Sequence, residues 1–397
     1  MTVFTIIRFL IGIALIFLPF TQLRFGVIGI GELLLILSMA LFLIASSFTF
    51  ARSPLDIFSL YFWAPILLLL FIGTSYNIIF LNFSTGTFEG ALFDFSSYTF
   101  IFFMLLILGD SRIYGSNGPM NFYFKIFSAI VCILIITFIL SFYASSIFGL
   151  KLKYEKFFAP MVDNVHQTAM LFCVLPFIGM AFLKTNRTKF EKFFIICSFP
   201  FLSAMAISSG TTKSILGIIV GLSVAIIASI ISILSRRNTL ITVSVYCAIS
   251  LLILLTLFTQ GYMSIFTDLF NEYDGNGARG KIYFLGFEKF LENPFFGYGP
   301  GSHLAVFGAE NSFSDAHNTF LTLAIQSGIF GVLLLLLLLA RLIFENIHEP
   351  WLLAAIAAFA IYLTGGDILR RGPMWIMLIT IVFISEYKKL SFQKLKE

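Results

Sequence analysis

The sequence predicts an all-α integral membrane protein with about twelve transmembrane helices and one large loop between spans 9 and 10. Three observations predict it. The chain has 397 residues, of which 59% are hydrophobic and only 11% charged, and its mean hydropathy is +0.99. That is far outside the usage of water-soluble domains. Apolar runs of about 17–25 residues recur along its length, each long enough to cross a bilayer as a helix. Lys and Arg concentrate in alternate short loops, the bias that fixes orientation on insertion.

The spans are expected at 4–22, 28–50, 57–81, 91–109, 122–148, 165–183, 193–209, 214–234, 240–260, 318–344, 350–364 and 373–387. The first run leads directly into further spans, so it reads as a transmembrane helix and not as a cleaved signal peptide. The last two are short for a bilayer and are expected to be tilted, or broken around Gly365 and Gly366. Alternate loops carry Arg52, Arg112, the group Lys184, Arg187, Lys189 and Lys192, then Arg236 with Arg237, and Arg341, while the tail adds Lys388, Lys389, Lys394 and Lys396. Placing both termini in the cytoplasm puts all of these inside. Segment 82–97 holds Glu89 and Asp94 and no Lys or Arg, which assigns it to the outer side. The whole chain, 1–397, reads as a single polytopic membrane domain. Cys132, Cys173, Cys197 and Cys247 all fall inside apolar spans, which suggests neither a disulfide framework nor a zinc site. Arg8 and Glu32 lie inside spans, where an ionisable group is expected to pair or to face the bundle interior.

Positive charges that fall on the outer side are more informative, because they work against insertion. For Lys151, Lys153, Lys156, Lys281 and Lys289 the plain reading is tolerance by loops flanked by many spans. Lys213, Arg279, Arg370 and Arg371 sit against spans or in a structured loop, and an anionic ligand on the outer face explains them better. Guanidinium forks suit phosphate oxygens and an ammonium supplies a point charge. The one long loop, 261–317, lies on this face. In its GKIYFLGFEKFLENPFFGYGPGS stretch (280–302), Tyr283, Phe287, Phe290 and Leu291 recur at helical spacing, with Glu288, Lys289 and Glu292 on the other side. This reads as an amphipathic helix ended by Pro294, lying on the membrane or on the bundle. The GYGPG turn (297–301) after it allows close backbone approach to a ligand, but it lacks the strand and helix context of a nucleotide-binding loop.

His317 stands at the outer mouth of the tenth span, beside Asn318. Fixed positive charge nearby disfavours its protonated form, which leaves it available as a base near neutral pH; the alternative is an interfacial residue that caps a helix with Asn318. His166, in DNVHQTAM (163–170) with Asn164, either lines a polar pocket or caps the sixth span. His303 sits in the Gly-rich stretch without an obvious partner, and His348 falls on the inner side. Asp268, Glu272, Asp274, Glu310 and Asp315 are outer carboxylates without DxD or paired spacing, so a metal site is not supported. No GxSxG is present, and no Ser-x-x-Lys with partners, so a serine hydrolase is not supported either.

The segment ARGKIYFLGFEKFLENPFFGYGPGS … AHNTFLTLAIQSGIFGVL (278–302 and 316–333) resembles the signature region of the O-antigen ligase and O-antigen polymerase superfamily. The matching positions are Arg279 opening the loop, Pro294, Gly297 with Gly299, His317 with Asn318, and Gln326 with Gly328. SSGTTKSILG (208–217) resembles a second family element, with Lys213 where an Arg is usual, so that the charge is kept and the bidentate fork is lost. DNVHQTA resembles an Asn-containing stretch of the family less distinctly. The resemblance implies a bacterial inner-membrane glycosyltransferase of the C type, needing no metal or other cofactor, with its active site on the periplasmic face. It implies a donor glycan on undecaprenyl pyrophosphate and a sugar hydroxyl as acceptor. Arg279, Lys213, Arg370 and Arg371 then meet the pyrophosphate, His317 acts as base and Arg279 is catalytic with it. Asn318, Asn164, His166 and Tyr298 are further candidate substrate contacts. Attack opposite the leaving group inverts the anomeric carbon. A polymerase of lipid-linked repeat units and a ligase acting on lipid A-core both fit; a lipid-linked oligosaccharide flippase is the reading from another class, weakened by charges that gather at one face and by the absence of a visible repeat. Membrane lipids are expected partners and nucleic acid is not. Whether a partner regulates chain length is left open.

Overall fold

The computed structural model describes residues 2–26, 28–81, 88–115, 118–234, 278–302, 304–305, 313–314 and 318–394. The expected ninth span, Arg236, Arg237 and Cys247, His303, His317, the loop carboxylates Asp268, Glu272, Asp274, Glu310 and Asp315, and Lys396 lie outside the described residues.

Most of the described chain is helical, as the hydropathy requires: in lipid a backbone satisfies its polar groups only within a helix or a closed barrel. The helices are α1 (Val3–Phe17), α2 (Ile30–Ala45), α3 (Asp56–Phe58, a π-turn at Ser59–Trp63, then Ala64–Leu81), α4 (Phe88–Gly109), α5 (Gly118–Ser141), α6 (His166–Phe182), α7 (Lys189–Ser208), α8 (Thr212–Leu234), α9 (Ala278–Glu292), α10 (Thr319–Glu345), α11 (Pro350–Leu363) and α12 (Gly372–Lys394). Eleven of the expected spans correspond to α1–α8 and α10–α12. Among the described residues, six helices are long and apolar enough to cross a membrane, and α1, α2, α6 and α11 are shorter apolar helices. The fifth helix stops at Ser141 rather than at 148. The polar segment after it folds into two short antiparallel hairpins, Ser146–Ile147 with Leu150–Lys151 and Lys153–Tyr154 with Phe157–Phe158, at a point where Phe148 and Gly149 both take positive φ.

Helix α6 is the centre of the bundle, since from Thr168 to Phe182 only Met180 is not buried. It packs against α7, α8, α11 and α12. The seam between α8 and α11 depends on small residues. A Cβ on Gly221 would stand 3.2 Å from the Ala354 carbonyl oxygen and 2.4 Å from the Phe177 ring, and one on Gly217 would stand 3.0 Å from the Cys173 Cβ. Small residues of this kind let apolar helices approach where lipid gives no hydrophobic drive to associate. Cys132, Cys173 and Cys197 are free thiols.

Charges sort to the two ends of the bundle. At one end Arg112 pairs with Asp110, Lys184 and Lys388 converge on Glu349, and Arg341 and Lys389 meet Glu345. Lys213, Arg370 and Arg371 belong to the opposite end, together with the start of α10. Among the described residues, charges expected in inner and outer loops thus fall at opposite ends of the bundle. Between the ends an aromatic block of Phe58, Phe62, Trp63, Tyr98 and Trp375 ties α3, α4 and α12 together, with Trp63 and Trp375 centroids 5.2 Å apart. The Trp375 indole donates to the Leu369 carbonyl at 2.9 Å, which anchors the 364–371 loop to the core.

Candidate functional site

The site is assembled by a break in one helix. Gly328 interrupts α10 with φ 66° and ψ −165°, a region essentially confined to glycine. The break frees carbonyls that an unbroken helix would use, and the GYGPG turn takes them: Tyr298 N donates to Ile325 O at 2.8 Å and Gly299 N to Gln326 O at 2.9 Å. Ile329 N, on the far side of the break, donates to Pro294 O at 2.7 Å. The turn is packed as closely as backbone allows. A Cβ on Gly299 would lie 2.6 Å from Thr74 N, and one on Gly301 2.2 Å from Ala91 N. The glycines, expected to bring backbone to a ligand, instead bring it to α3, α4 and α10, and residues 297–302 are buried.

Asp94 then locks the arrangement. Its side chain is fully buried and accepts from Gly301 N at 3.0 Å, from Gln326 Nε2 at 3.2 Å and from Arg370 Nη1 at 2.6 Å. Gln326 accepts in turn from the Tyr98 hydroxyl at 2.9 Å. A buried carboxylate is tolerable only with such a full set of donors. Arg370 also meets Asp367 at 3.2 Å.

The 364–371 loop gathers the rest. Thr319 Oγ1, in the first turn of α10, donates to Gly366 O at 2.5 Å. The Lys213 side chain lies over Gly365, where a Cβ would stand 2.0 Å from its Cε. Beside the loop opens a cavity of about 310 Å³, lined by Thr21, Glu32, Ser97, Gln167, Asp367, Arg370 and Arg371. Its walls mix two guanidiniums with two carboxylates, one amide and two hydroxyls, the set that holds both sugar hydroxyls and anionic oxygens. Glu32 also accepts from Gly29 N at 3.0 Å and so closes the first turn of α2.

The structure brings Lys213, Arg370, Arg371 and Asn318 to one end of the bundle, with Asn164 and His166 at the start of α6 beside the cavity-lining Gln167, and gives several of the predicted site residues local structural bonds. Asn318 caps α10, accepting from Phe320 N at 3.0 Å and Leu321 N at 3.2 Å. Asn164 accepts from His166 N at 2.9 Å and starts α6 the same way; the exposed His166 precedes Gln167, which does line the cavity. Tyr298 is buried, packed on Ile325, and its hydroxyl donates to Glu292 at 2.9 Å. Burial, and then the Glu292 carboxylate, raise the Tyr298 pKa far above its usual range, so this phenol stays protonated. The bond from Lys289 holds the Glu292 carboxyl below its ordinary value. The backbone of Arg279 lies in the first turn of α9; its side chain, like His317, is outside the described residues. Helix α9 packs on α10 as an amphipathic helix, but with a different face inward. Tyr283, Gly286 and Phe290 turn to the protein, while Phe284, Phe287 and Leu291 are 65%, 53% and 56% exposed. Among the described residues no three His, Cys, Asp or Glu side chains come together as a metal-binding set.

The reading of the residues alone missed Asp94, Asp367 and Gln167 as site members. Asp94 had a signal, an acid just inside an apolar run, where a buried partner is expected.

Residues 197–336 match the family model described as O-antigen ligase. Over that span the chain is similar to the O-antigen ligase family, which supports a place in the O-antigen ligase and polymerase superfamily. No curated protein and no solved structure matches the chain. The matched span contains Lys213, Arg279, Tyr298, His317, Asn318, Gln326 and Gly328. Asp94, Asp367, Arg370 and Arg371 lie outside the matched span and reach it only through the fold. The similarity supports a function of the glycosyltransferase-like ligase and polymerase type in general, in a chain with several helices apolar enough to cross a membrane.

Proposed function

We propose that this chain transfers a glycan from undecaprenyl pyrophosphate to a sugar hydroxyl at the periplasmic face of the inner membrane, polymerising O-antigen, capsule or exopolysaccharide repeat units. The observation that carries the reading is the polar cavity beside the 364–371 loop, at the end of the bundle where the matched domain begins α10. In the reaction the acceptor oxygen bonds to the anomeric carbon, the bond from that carbon to the pyrophosphate oxygen breaks, and the lipid pyrophosphate departs with the electron pair. The acceptor proton passes to a base, the role given to His317. Charge developing on the leaving group calls for fixed cations. Lys213, Arg371 and Arg279 fill that role; Arg370 is already engaged by Asp94 and Asp367, so its first task is to hold the loop. Glu32, Gln167 and Asp367 suit the hydroxyls of a sugar. The exposed apolar stripe of α9 offers a seat for the polyprenyl chain.

The test is reaction of the purified protein in nanodiscs with a lipid-linked repeat unit, beside His317→Ala and Arg279→Ala, with products resolved by size. A ladder of longer lipid-linked glycans, lost in both variants, is the expected result. Transfer only after lipid A-core is added makes the enzyme a ligase. No transfer, with lipid-linked sugar crossing the bilayer of vesicles, overturns the enzyme reading in favour of a flippase. A gentler variant probes Lys213. Gly365→Ala places a methyl against the flexible end of that side chain, so stability is expected to change by under about 1 kcal/mol. Displacing the ammonium is expected to lower kcat/KM by about ten-fold. Unchanged kinetics remove Lys213 from the site.

A further inference from the structure

At the end of the bundle opposite the cavity, an open groove of about 400 Å³ runs between α1 and α5. Its walls are Phe9, Ile13, Phe122 and Ile126, and Gly12 keeps its floor low. Two cations stand at the groove, Arg8 and Lys125. Arg8 Nη1 donates to the Tyr114 carbonyl at 3.0 Å. Among the described residues neither Arg8 nor Lys125 has a carboxylate within ion-pair distance, and no acidic side chain lines the groove. Both cations sit in the second turn of an apolar helix, where an uncompensated charge is costly. The groove therefore offers positive charge and a strip of apolar surface, including a Phe9 ring that is 61% exposed, and no described residue covers either.

We propose that this groove is a binding site for one anionic phospholipid, with the phosphate between Arg8 and Lys125 and an acyl chain along Phe9, Ile13, Phe122 and Ile126. The chemistry on the page selects this amphiphile. A guanidinium and an ammonium together match a phosphodiester, and a net negative headgroup balances the pair better than a zwitterionic one, whose own ammonium would meet two cations. A soluble phosphate would leave the apolar strip bare, and a neutral lipid would leave the charges unmet. The site is distinct from the cavity near Arg371 and does not depend on the glycosyl-transfer reading.

The test uses the full chain in nanodiscs of phosphatidylcholine with a rising fraction of phosphatidylglycerol, followed by mild delipidation and native mass spectrometry. Wild-type protein is expected to keep one phosphatidylglycerol with a preference over phosphatidylcholine of roughly thirty-fold, the scale set by two interfacial cations. The Arg8→Gln, Lys125→Gln variant is expected to lose that preference. Gly12→Leu fills the groove without touching either cation, and is expected to lower retention of both lipids while thermal unfolding stays cooperative. Lys125→Gln alone, at an exposed position, keeps the test informative if the Arg8 change impairs folding, and is expected to cut the preference by about half on a logarithmic scale. Equal retention of the two lipids by wild type, an undiminished preference in the cation variants, or full thermal protection by inorganic phosphate alone would overturn the proposal.

Discussion

Asp94→Ala is expected to lower stability by about 3–5 kcal/mol, the cost of removing one partner of a buried ion pair, and to abolish activity. The carboxylate is the single acceptor on which three separated elements converge: the end of the GYGPG turn through Gly301, helix α10 through Gln326, and the 364–371 loop through Arg370. Its loss leaves the half-buried Arg370 guanidinium with Asp367 as its remaining carboxylate partner and strands the Gly301 amide in a buried turn. Asp94→Asn keeps the shape but loses the charge and turns a donor toward other donors, so a smaller loss is expected, about 1–3 kcal/mol. Thermal unfolding in detergent and glycosyl transfer are measured together. A second variant separates structure from chemistry: adding Arg370→Met to Asp94→Ala removes the excess cation but also takes the Arg370 ion pair from the buried Asp367, so at most part of the stability is expected to return, without turnover. If Asp94→Ala unfolds at the wild-type temperature, the convergence described here does not hold the site together.

Gly328→Ala is expected to be the most damaging single methyl in the matched span. The added Cβ would stand 2.1 Å from the Phe295 carbonyl oxygen, a backbone atom that cannot swing aside. It would also have to adopt φ 66° with ψ −165°, a conformation that costs a non-glycine residue roughly 1–3 kcal/mol before any clash. Strain and clash together are expected to exceed about 3 kcal/mol, and to free the turn from the carbonyls of Ile325 and Gln326. The expected readout is a protease-sensitive 294–302 segment and loss of transfer, with the rest of the bundle still helical. Gly12→Ala is the control. Its Cβ meets only the Phe122 ring, at 3.7 Å, inside a regular helix, where alanine is favoured over glycine by up to about 1 kcal/mol. Equal behaviour of the two variants would mean that the helix break is not required.

The residues themselves made much of this legible. Hydropathy alone places eleven helices close to their expected positions, because a bilayer leaves an apolar run of that length few alternatives. The loop charges sort the ends of those helices, and the sorting matches the ion pairs around Glu349 and Glu345 at one end and the gathering of Lys213, Arg370 and Arg371 at the other. The periodicity of 280–292 gives an amphipathic helix but not its inward face, since Phe287 and Leu291 turn outward where Tyr283 and Phe290 turn in. An apolar stripe is wide enough to satisfy either lipid or protein, and only the packing of α9 on α10 chooses.

What the sequence by itself determined is local: membrane class, helix positions, the Gln326 and Gly328 motif, the capping Asn318, and the O-antigen ligase resemblance of 278–333. Those properties reside in residues a few positions apart, where hydropathy and spacing are sufficient. Tertiary structure alone decided that Asp94 reaches across 276 positions to Arg370, that Arg370 is thereby a brace before it is a ligand, and that the GYGPG turn seals a broken helix instead of facing solvent. The reason is physical. A buried carboxylate takes whichever donors the fold brings within reach, and no spacing along the chain records which those are.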